Sequence, residues 1–218
     1  MKNNSDLFRQ IKKLQTIALS RKINKKLKEF SSYENKSEAQ WFSELCFCIL
    51  TANSKAITAL SVQKELGVKG FLNYSEKKIA LAIKNNGHRF HNNKAKYIVE
   101  ARKHRDIKKV ITKIAKKNNY SSQKQAREFI VKNIKGIGLK EASHFLRNVG
   151  YFQLSILDRH ILNVMNENKI IKEKPKYLNN KNYFFIEKKF LDLAKKFRMS
   201  AAKLDFYFWY IKAGDVLK

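Results

Sequence analysis

The sequence has few residues of the kinds that define several common classes of protein. Its 218 residues include only two cysteines, Cys46 and Cys48, which lie in one apolar segment. Two cysteines give no disulfide framework and no four-cysteine site for zinc or an iron–sulfur cluster, so we expect reduced, buried thiols. No apolar run has membrane-spanning length, and no cleavable leader precedes the first helical pattern. These absences predict a soluble, intracellular protein without a membrane partner.

Glycine and proline are also scarce, with seven and one in the chain. Apolar residues recur mostly at spacings of three and four, and few stretches alternate as strands do, which predicts an all-α fold. Helices are predicted over residues 5–29, 38–52, 54–65, 75–86, 91–117, 122–134, 139–149, 158–167, 183–197 and 201–213. Ser75, Ser122 and Ser200 are the expected N-caps, and the polar segment 166–182 is the expected long surface connection.

Acidic residues are outnumbered by basic ones, 18 to 47, which gives a formal charge of +29. Such an excess repels itself unless a polyanion or counterions neutralise it. The charge therefore favours nucleic acid as the partner, although a genome biased towards lysine and asparagine would account for part of the excess. Hydrophobic residues make up 44% of the chain, which is enough to build a folded core.

Two of the glycines, Gly136 and Gly138, lie within three positions, directly before a strongly periodic segment. Glycine reaches positive φ at little steric cost, so the pair predicts a tight connection between two helices. A glycine turn can serve packing alone, but the periodic helices on both sides define a helix-hairpin-helix over about residues 122–149. The first turn of its second helix has unpaired N–H groups that can bind a DNA phosphate.

This unit resembles the helix-hairpin-helix DNA glycosylases of base excision repair. In that superfamily a lysine follows the hairpin and an aspartate lies near the start of a later helix, and Lys140 and Asp158 occupy these places, 18 residues apart. Residues 134–150 and 156–162 look most like the second, small archaeal and bacterial family of 8-oxoguanine DNA glycosylases. The similarity extends to 47–54, 87–90 and 206–210 and covers most of residues 37–218. It implies one module over residues 1–218, with two helical lobes and a cleft between them.

The resemblance implies a bifunctional enzyme that excises 8-oxoguanine and nicks the resulting abasic site. Lys140 would attack the sugar carbon of a flipped nucleotide and form a Schiff base, from which β-elimination cleaves the strand. A lysine attacks only after losing its proton, so its site must disfavour the ammonium form. Asp158 would accept a proton and stabilise the positively charged sugar. The simpler interpretations are a solvated lysine and an aspartate that only caps a helix.

Base binding is expected from Phe90, Trp209 and the terminal Lys218. The run from Phe206 to Tyr210 has more aromatic surface than one helix face buries, so we expect Trp209 in a cleft, with Phe90 opposite, stacked on the flipped base or wedged into the duplex. The resemblance implies that Lys218 distinguishes 8-oxoguanine from guanine. The alternatives are an aromatic run that only builds core and a frayed tail.

DNA contacts are expected from the hairpin, from Asn53 and from the basic segment that starts at Gly87. The expected contact residues are Lys135, Gly136, Ile137, Gly138, Asn53, Arg89 and His91. Asn53 resembles a residue that fills the hole left by the flipped base or meets the orphaned cytosine; the simpler interpretation is a C-cap. His88 and His91 lack acidic or cysteine partners for a metal, so we expect them to face phosphate.

No cofactor is expected apart from a monovalent cation at the hairpin carbonyls, which the resemblance implies. Endonuclease-III-like relatives carry a four-cysteine iron–sulfur loop after the catalytic region, but no cysteine follows Cys48 here. We expect a monomer that acts on damaged double-stranded DNA in the cytoplasm, associated with the nucleoid. Two other hypotheses remain: a glycosylase for a different lesion, such as an oxidised pyrimidine, and a noncatalytic module that uses the hairpin to bind DNA.

Overall fold

The computed structural model describes residues 4–216, and this part of the chain contains helices and turns but no strand. The all-α prediction is therefore confirmed. The α-helices are α1 (Asn4–Leu14), α2 (Ile17–Ser31), α3 (Glu38–Thr51), α4 (Ala56–Asn73), α5 (Glu76–Asn85), α6 (His91–Ala101), α7 (Ile107–Ile114), α8 (Tyr120–Asn133), α9 (Leu139–Asn148), α10 (Arg159–Glu167), α11 (Asn180–Lys196) and α12 (Ala201–Ala213).

Several boundaries differ from the predicted ones for local reasons. The predicted helix 5–29 is two helices, because the Thr16 side chain accepts a hydrogen bond from Leu19 N and starts α2. The predicted helix 91–117 is broken after Ala101 by a short 3-10 turn. Ser122 is not an N-cap; Asn119 caps α8 and accepts from the backbone N–H of Ser122. The other two expected caps, on α5 and α12, are present.

The helices form two lobes, each with its own buried cluster. The first lobe is made from the middle of the chain, and its cluster runs from Trp41 to Leu154. The second lobe joins both ends of the chain, since its cluster combines residues from Leu7 to Phe30 with residues from Leu157 to Val216. The two-lobed architecture thus arises because residues of α1 and α2 share a buried cluster with the C-terminal helices.

Helix α9 lies between the lobes. Every residue from Glu141 to Asn148 is buried, including charged and polar ones. Its apolar residues Ala142, Phe145 and Leu146 belong to the first cluster. Polar side chains on its other face are buried too, because the second lobe covers them. The helix that follows the hairpin is therefore enclosed on all sides apart from its first turn.

Candidate active site

The hairpin between α8 and α9 requires glycine at its centre. Gly136 has φ of 81°, and a Cβ built there would lie 2.4 Å from the ring of Tyr97 on α6. Both the left-handed backbone and the close approach of Tyr97 exclude a larger residue. Ile137 is buried in the first cluster, and Gly138 is the N-cap residue of α9. The hairpin is thus anchored on α6 and presents the first turn of α9.

Lys140 lies in that first turn, with its side chain half-buried. Its Nζ is 2.8 Å from Oε1 of Glu141, while Oε2 of Glu141 accepts a hydrogen bond from the backbone N–H of Gly138 at 3.3 Å. One carboxylate therefore binds both the amine and the hairpin. The structure pairs Lys140 with Glu141, a residue that the sequence analysis did not select.

A second lysine lies near this pair. Lys94 on α6 is buried, and its Nζ donates to the carbonyl oxygen of Ile49 at 2.6 Å. Burial lowers the pKa of Lys94 to about 8; nearby Glu141 opposes this shift, and nearby Lys140 adds to it. Lys94 was not predicted from the sequence, although it occupies the same stripe as the buried residues Ile98 and Ala101 at helical spacing.

Asp158 is the N-cap of α10, and both of its carboxylate oxygens are engaged. Oδ1 accepts from the backbone N–H groups of His160 and Ile161 at 2.8 and 2.9 Å. Oδ2 accepts from the indole Nε1 of Trp209 at 3.1 Å. The imidazole of His160 meets the Trp209 ring edge-on, with centroids 5.5 Å apart. Asp158 therefore caps its helix and also joins it to α12.

Lys140 and Asp158 both emerge beside the second cluster. Leu139, directly before Lys140, packs against this cluster, and Leu157, directly before Asp158, is part of it. The first turns of α9 and α10 are thus anchored in the same apolar core. The structure brings Trp209 to this place as well, while Phe206, Tyr207 and Phe208 are buried in the core of the second lobe.

Phe90 is an exposed aromatic at the start of α6, with Arg89 over its ring at 5.4 Å. His88 holds this turn from below: its Nδ1 accepts from the backbone N–H of Phe90 at 3.2 Å, and its Nε2 lies 3.0 Å from the carbonyl oxygen of Leu50. His88 is buried, so the expectation that it faces phosphate is wrong. His91 is half-buried.

The remaining predicted contact residues lie on the surface or outside the described residues. Asn53 follows α3, is exposed and has φ of 59°, the left-handed conformation that asparagine tolerates. Lys135 in the hairpin is exposed, with Nζ 3.2 Å from Glu100 Oε2. Lys218 lies outside the described residues.

Neither a metal-ligand cluster nor a membrane span occurs in the described part of the chain. No three histidine, cysteine, aspartate or glutamate side chains between residues 4 and 216 are grouped so that they could hold a metal ion. None of the helices described there is both long enough and apolar enough to cross a bilayer.

Known proteins are similar to this chain in sequence and in fold. A sequence model of the family described as 8-oxoguanine DNA glycosylase, with a helix-hairpin-helix, matches residues 23–199. The 8-oxoguanine DNA glycosylase/AP lyase of Methanocaldococcus jannaschii is 45% identical over 212 residues, which cover 97% of this chain and 99% of the relative. The enzyme of the same name from Thermoplasma volcanium is 42% identical over 196 residues, which cover 90% and 91%.

Two solved structures extend the similarity to the fold. The crystal structure of the Methanocaldococcus jannaschii glycosylase/lyase in complex with a 15mer DNA containing 8-oxoguanine has a TM-score of 0.91 and 44% identity, covering 97% of this chain and 99% of that one. The crystal structure of the Thermotoga maritima 8-oxoguanine DNA glycosylase has a TM-score of 0.90 and 36% identity, covering 98% and 99%.

The two helical lobes, the hairpin and the lysine that follows it define a DNA glycosylase of the helix-hairpin-helix class. Within that class, the chain belongs to the 8-oxoguanine DNA glycosylase family. The family assignment made from residues 134–150 and 156–162 is therefore confirmed.

Proposed function

We propose that this protein excises 8-oxoguanine from double-stranded DNA and then cleaves the abasic site by β-elimination. The observation that carries the proposal is the placement of Lys140 and Asp158 on the first turns of two helices anchored in one apolar cluster. The names of the relatives, which join glycosylase to AP lyase, support both activities. Base removal would require the nucleotide to leave the duplex, because its glycosidic carbon cannot be reached while the base is stacked.

In this proposal Lys140 is the nucleophile and Asp158 the carboxylate that supports it. Neutral Lys140 attacks C1′ of the sugar as the bond from C1′ to the base breaks, and Asp158 takes the proton that the amine loses. Opening of the C1′–O4′ bond then gives the Schiff base, which loses a C2′ proton and releases the 3′ phosphate. Glu141 holds the amine before DNA binds, since its carboxylate is 2.8 Å from Nζ. Asp158 accepts hydrogen bonds from two backbone N–H groups and one indole N–H, so its carboxylate is already oriented before DNA binds.

The expelled base would stack on exposed or half-buried aromatic surface. Phe90 is 42% exposed at the start of α6, and Trp209 is half-buried beside Asp158. These are the two aromatics to which we assign base contact. We further propose that Lys218 selects 8-oxoguanine over guanine; deleting it should lower that preference, and an unchanged ratio of the two excision rates would contradict the assignment.

The hairpin residues 135–138, together with Asn53, Arg89 and His91, would bind the DNA around the lesion. Backbone N–H groups at the start of α9 suit a phosphate, and the charge of +29 suits the duplex as a whole. The hairpin carbonyls are the neutral oxygen ligands that a monovalent cation prefers, and such an ion would bridge the hairpin to phosphate. We propose a monomer acting on chromosomal DNA, hence in the cytoplasm with the nucleoid.

Borohydride trapping tests the proposal. Wild-type protein incubated with a duplex containing one 8-oxoguanine should give a covalent protein–DNA adduct and a strand nick on a denaturing gel. Lys140→Gln should abolish the adduct. Lys135→Gln is the matched control, because this exposed hairpin lysine should affect DNA affinity but not the adduct at saturating DNA. An adduct that persists in Lys140→Gln would rule Lys140 out.

The choice of lesion needs its own measurement. Single-turnover excision should be compared on duplexes carrying 8-oxoguanine, an oxidised pyrimidine or undamaged guanine. Faster excision of the oxidised pyrimidine would favour a glycosylase for a different lesion. DNA binding without excision of any of these bases would favour a noncatalytic module.

A further inference from the structure

Arg147 and Asp205 form a buried ion pair that crosses between the lobes. Nη1 of Arg147 donates to Oδ2 of Asp205 at 2.7 Å, and only 6% and 4% of the two side chains are exposed. Arg147 lies near the end of α9, whose apolar face belongs to the first cluster. Asp205 lies on α12, whose apolar residues belong to the second cluster. The pair therefore connects elements that have separate cores.

The same two helices carry Lys140 and Trp209, the residue that donates to Asp158. Lys140 and Arg147 are seven residues apart on α9, which is about two turns, so they share a face. Asp205 and Trp209 are four residues apart on α12, and Trp209 donates to Asp158. A continuous path thus runs from the amine along α9, across the ion pair, along one turn of α12 and through the indole to the carboxylate.

The surroundings of Arg147 leave it little freedom. Its guanidinium lies 5.4 Å from the ring centroid of Phe30 and 4.9 Å from that of Phe206, both in the second lobe. Its Nε donates to Oδ1 of the neighbouring Asn148, which in turn donates to buried Glu44 at 2.6 Å. Arg147 is therefore fixed by contacts in both lobes.

We propose that Arg147 and Asp205 are positioning residues that set the separation of Lys140 and Asp158 across the two lobes. The inference rests on the proposed function of these two residues. Sliding or rotation of α9 relative to α12 would move the amine and the carboxylate apart, and a misplacement of about 1 Å can cost roughly 100-fold in rate. The forked guanidinium resists such motion because it is held by the carboxylate, by Asn148 and by two aromatic rings.

The charges around Asp205 indicate how variants will behave. Burial raises the pKa of Asp205 to about 7, Arg147 opposes this shift, and the nearby carboxylate of Asp158 adds to it. Without Arg147, Asp205 would take up a proton, so the site would hold a neutral acid instead of an isolated charge. Replacing both partners by apolar residues of similar size is also tolerated in many proteins. The pair can therefore be removed while the fold is kept.

The test compares Arg147→Met/Asp205→Leu with wild-type protein. Single-turnover excision of 8-oxoguanine at saturating enzyme should fall at least 30-fold. The dissociation constant for a duplex with an uncleavable abasic analogue should stay within threefold, because the side chains of both positioning residues are buried. Arg147→Lys, which keeps the charge but not the fork, should recover part of the rate. If the double variant does not fold, Asp205→Asn replaces it, with the same expected direction.

The control is a second buried ion pair that crosses between the lobes. Arg127 on α8 donates to Glu187 on α11 through two bonds of 2.7 Å, and neither helix carries Lys140, Asp158 or Trp209. Arg127 also donates to Ser143 on α9 at 3.1 Å, but this pair does not join α9 to α12. Arg127→Met/Glu187→Leu should therefore change the thermal midpoint, while excision falls much less than in the Arg147 and Asp205 variant. Equal rate losses in both double variants would show a general structural effect and overturn the proposal, as would an excision rate within threefold of wild type in the folded Arg147 and Asp205 variant.

Tryptophan fluorescence separates this inference from the proposed function. The chain has two tryptophans, and Trp41 is buried in the first cluster, so a Trp41→Phe background leaves Trp209 as the reporter. Removing the ion pair should shift Trp209 emission to longer wavelength, because α12 no longer holds the indole against Asp158. Inactive wild-type protein would refute the proposed function alone, whereas unshifted emission in the double variant would overturn the positioning role.

Discussion

The indole N–H of Trp209 is 3.1 Å from Oδ2 of Asp158, so the aromatic assigned to base stacking also orients the carboxylate assigned to catalysis. This hydrogen bond couples base stacking by Trp209 to catalysis by Asp158, which would otherwise be independent. A base that pushes on the indole ring would also move the carboxylate. Substitutions at position 209 should therefore affect the rate of excision as well as the choice of base.

Trp209→Phe should separate these two effects. Phenylalanine keeps an aromatic face but cannot donate to Asp158, and a hydrogen bond to a charged group is worth roughly 1.5–3 kcal/mol. We expect single-turnover excision to fall about 10-fold or more, with little change in the preference for 8-oxoguanine over guanine. Tyr210→Phe is the control at the neighbouring half-buried position. An unchanged rate in Trp209→Phe would mean that the bond does not contribute.

Asp158→Asn should lower activity with little loss of stability. The amide oxygen can still accept from His160 and Ile161, so the cap of α10 is kept, but the negative charge is lost and the amide NH2 cannot accept from the Trp209 indole. Excision should decrease by about 10²–10⁴-fold, the range of general acid–base catalysis. Binding of a duplex with an uncleavable abasic analogue should remain.

Ser75→Ala is the opposite control, because it removes a helix cap far along the chain from Asp158. Loss of the Ser75 cap on α5 should cost about 1 kcal/mol of stability without loss of activity.

Gly136→Ala should damage both the fold and DNA binding. The left-handed backbone costs a non-glycine residue about 1–2 kcal/mol. The added Cβ would also lie 2.4 Å from Tyr97, and crowding in a packed site typically costs about 1–3 kcal/mol more. Gly214→Ala shares the positive φ but meets nothing within 4 Å, so it isolates the backbone cost. Chemical denaturation should show a larger loss at position 136, and equal losses would contradict the role of Tyr97.

His88 should make stability fall at acidic pH. Burial lowers the pKa of His88 below 6.5, and the charges of Lys94, Arg89 and His91 lower it further, against the hydrogen bond to Leu50. A histidine whose folded pKa is depressed stabilises the fold above its unfolded pKa, and this contribution is lost as pH falls below 6.5 through the folded pKa. A proton on Nδ1 would also break the bond from Phe90.

Denaturation at pH 7.5 and pH 5 measures this effect. His88→Asn is the useful comparison, because its amide oxygen can replace Nδ1 as the acceptor and does not titrate. The variant should lose less stability between the two pH values than the wild-type protein does. Equal losses would show that groups other than His88 account for the pH dependence.

Local patterns in the sequence were enough to predict most of the helices and the hairpin, whereas Lys140 and Asp158 were selected from the family resemblance. Helical spacing, glycine chemistry and capping act within a few residues, so one chain reveals them. Errors arose where two local signals compete, as at Thr16, where an N-cap interrupts a continuous apolar stripe. At the start of α8 the stronger cap was Asn119 and not Ser122.

Long-range pairs could not be predicted in this way. The bond from Trp209 to Asp158 and the pair of Arg147 with Asp205 join residues 51 and 58 positions apart, and no periodicity links them. The pairing of Lys140 with Glu141 was missed for a different reason, since adjacent residues on a helix do not normally face each other. Lys94 could have been found, because a lysine on an apolar stripe is a burial signal.

The second lobe joins the two ends of the chain, with residues 7–30 packed on residues 157–216. During synthesis the ribosome releases residues in order, so α1 and α2 emerge long before the helices that cover them. The first lobe can fold on the nascent chain, whereas Asp158 and Trp209 can reach their places only after translation is nearly complete. Until the C-terminal helices are synthesised, α1 and α2 would be the part of the nascent chain most exposed to chaperones and proteases.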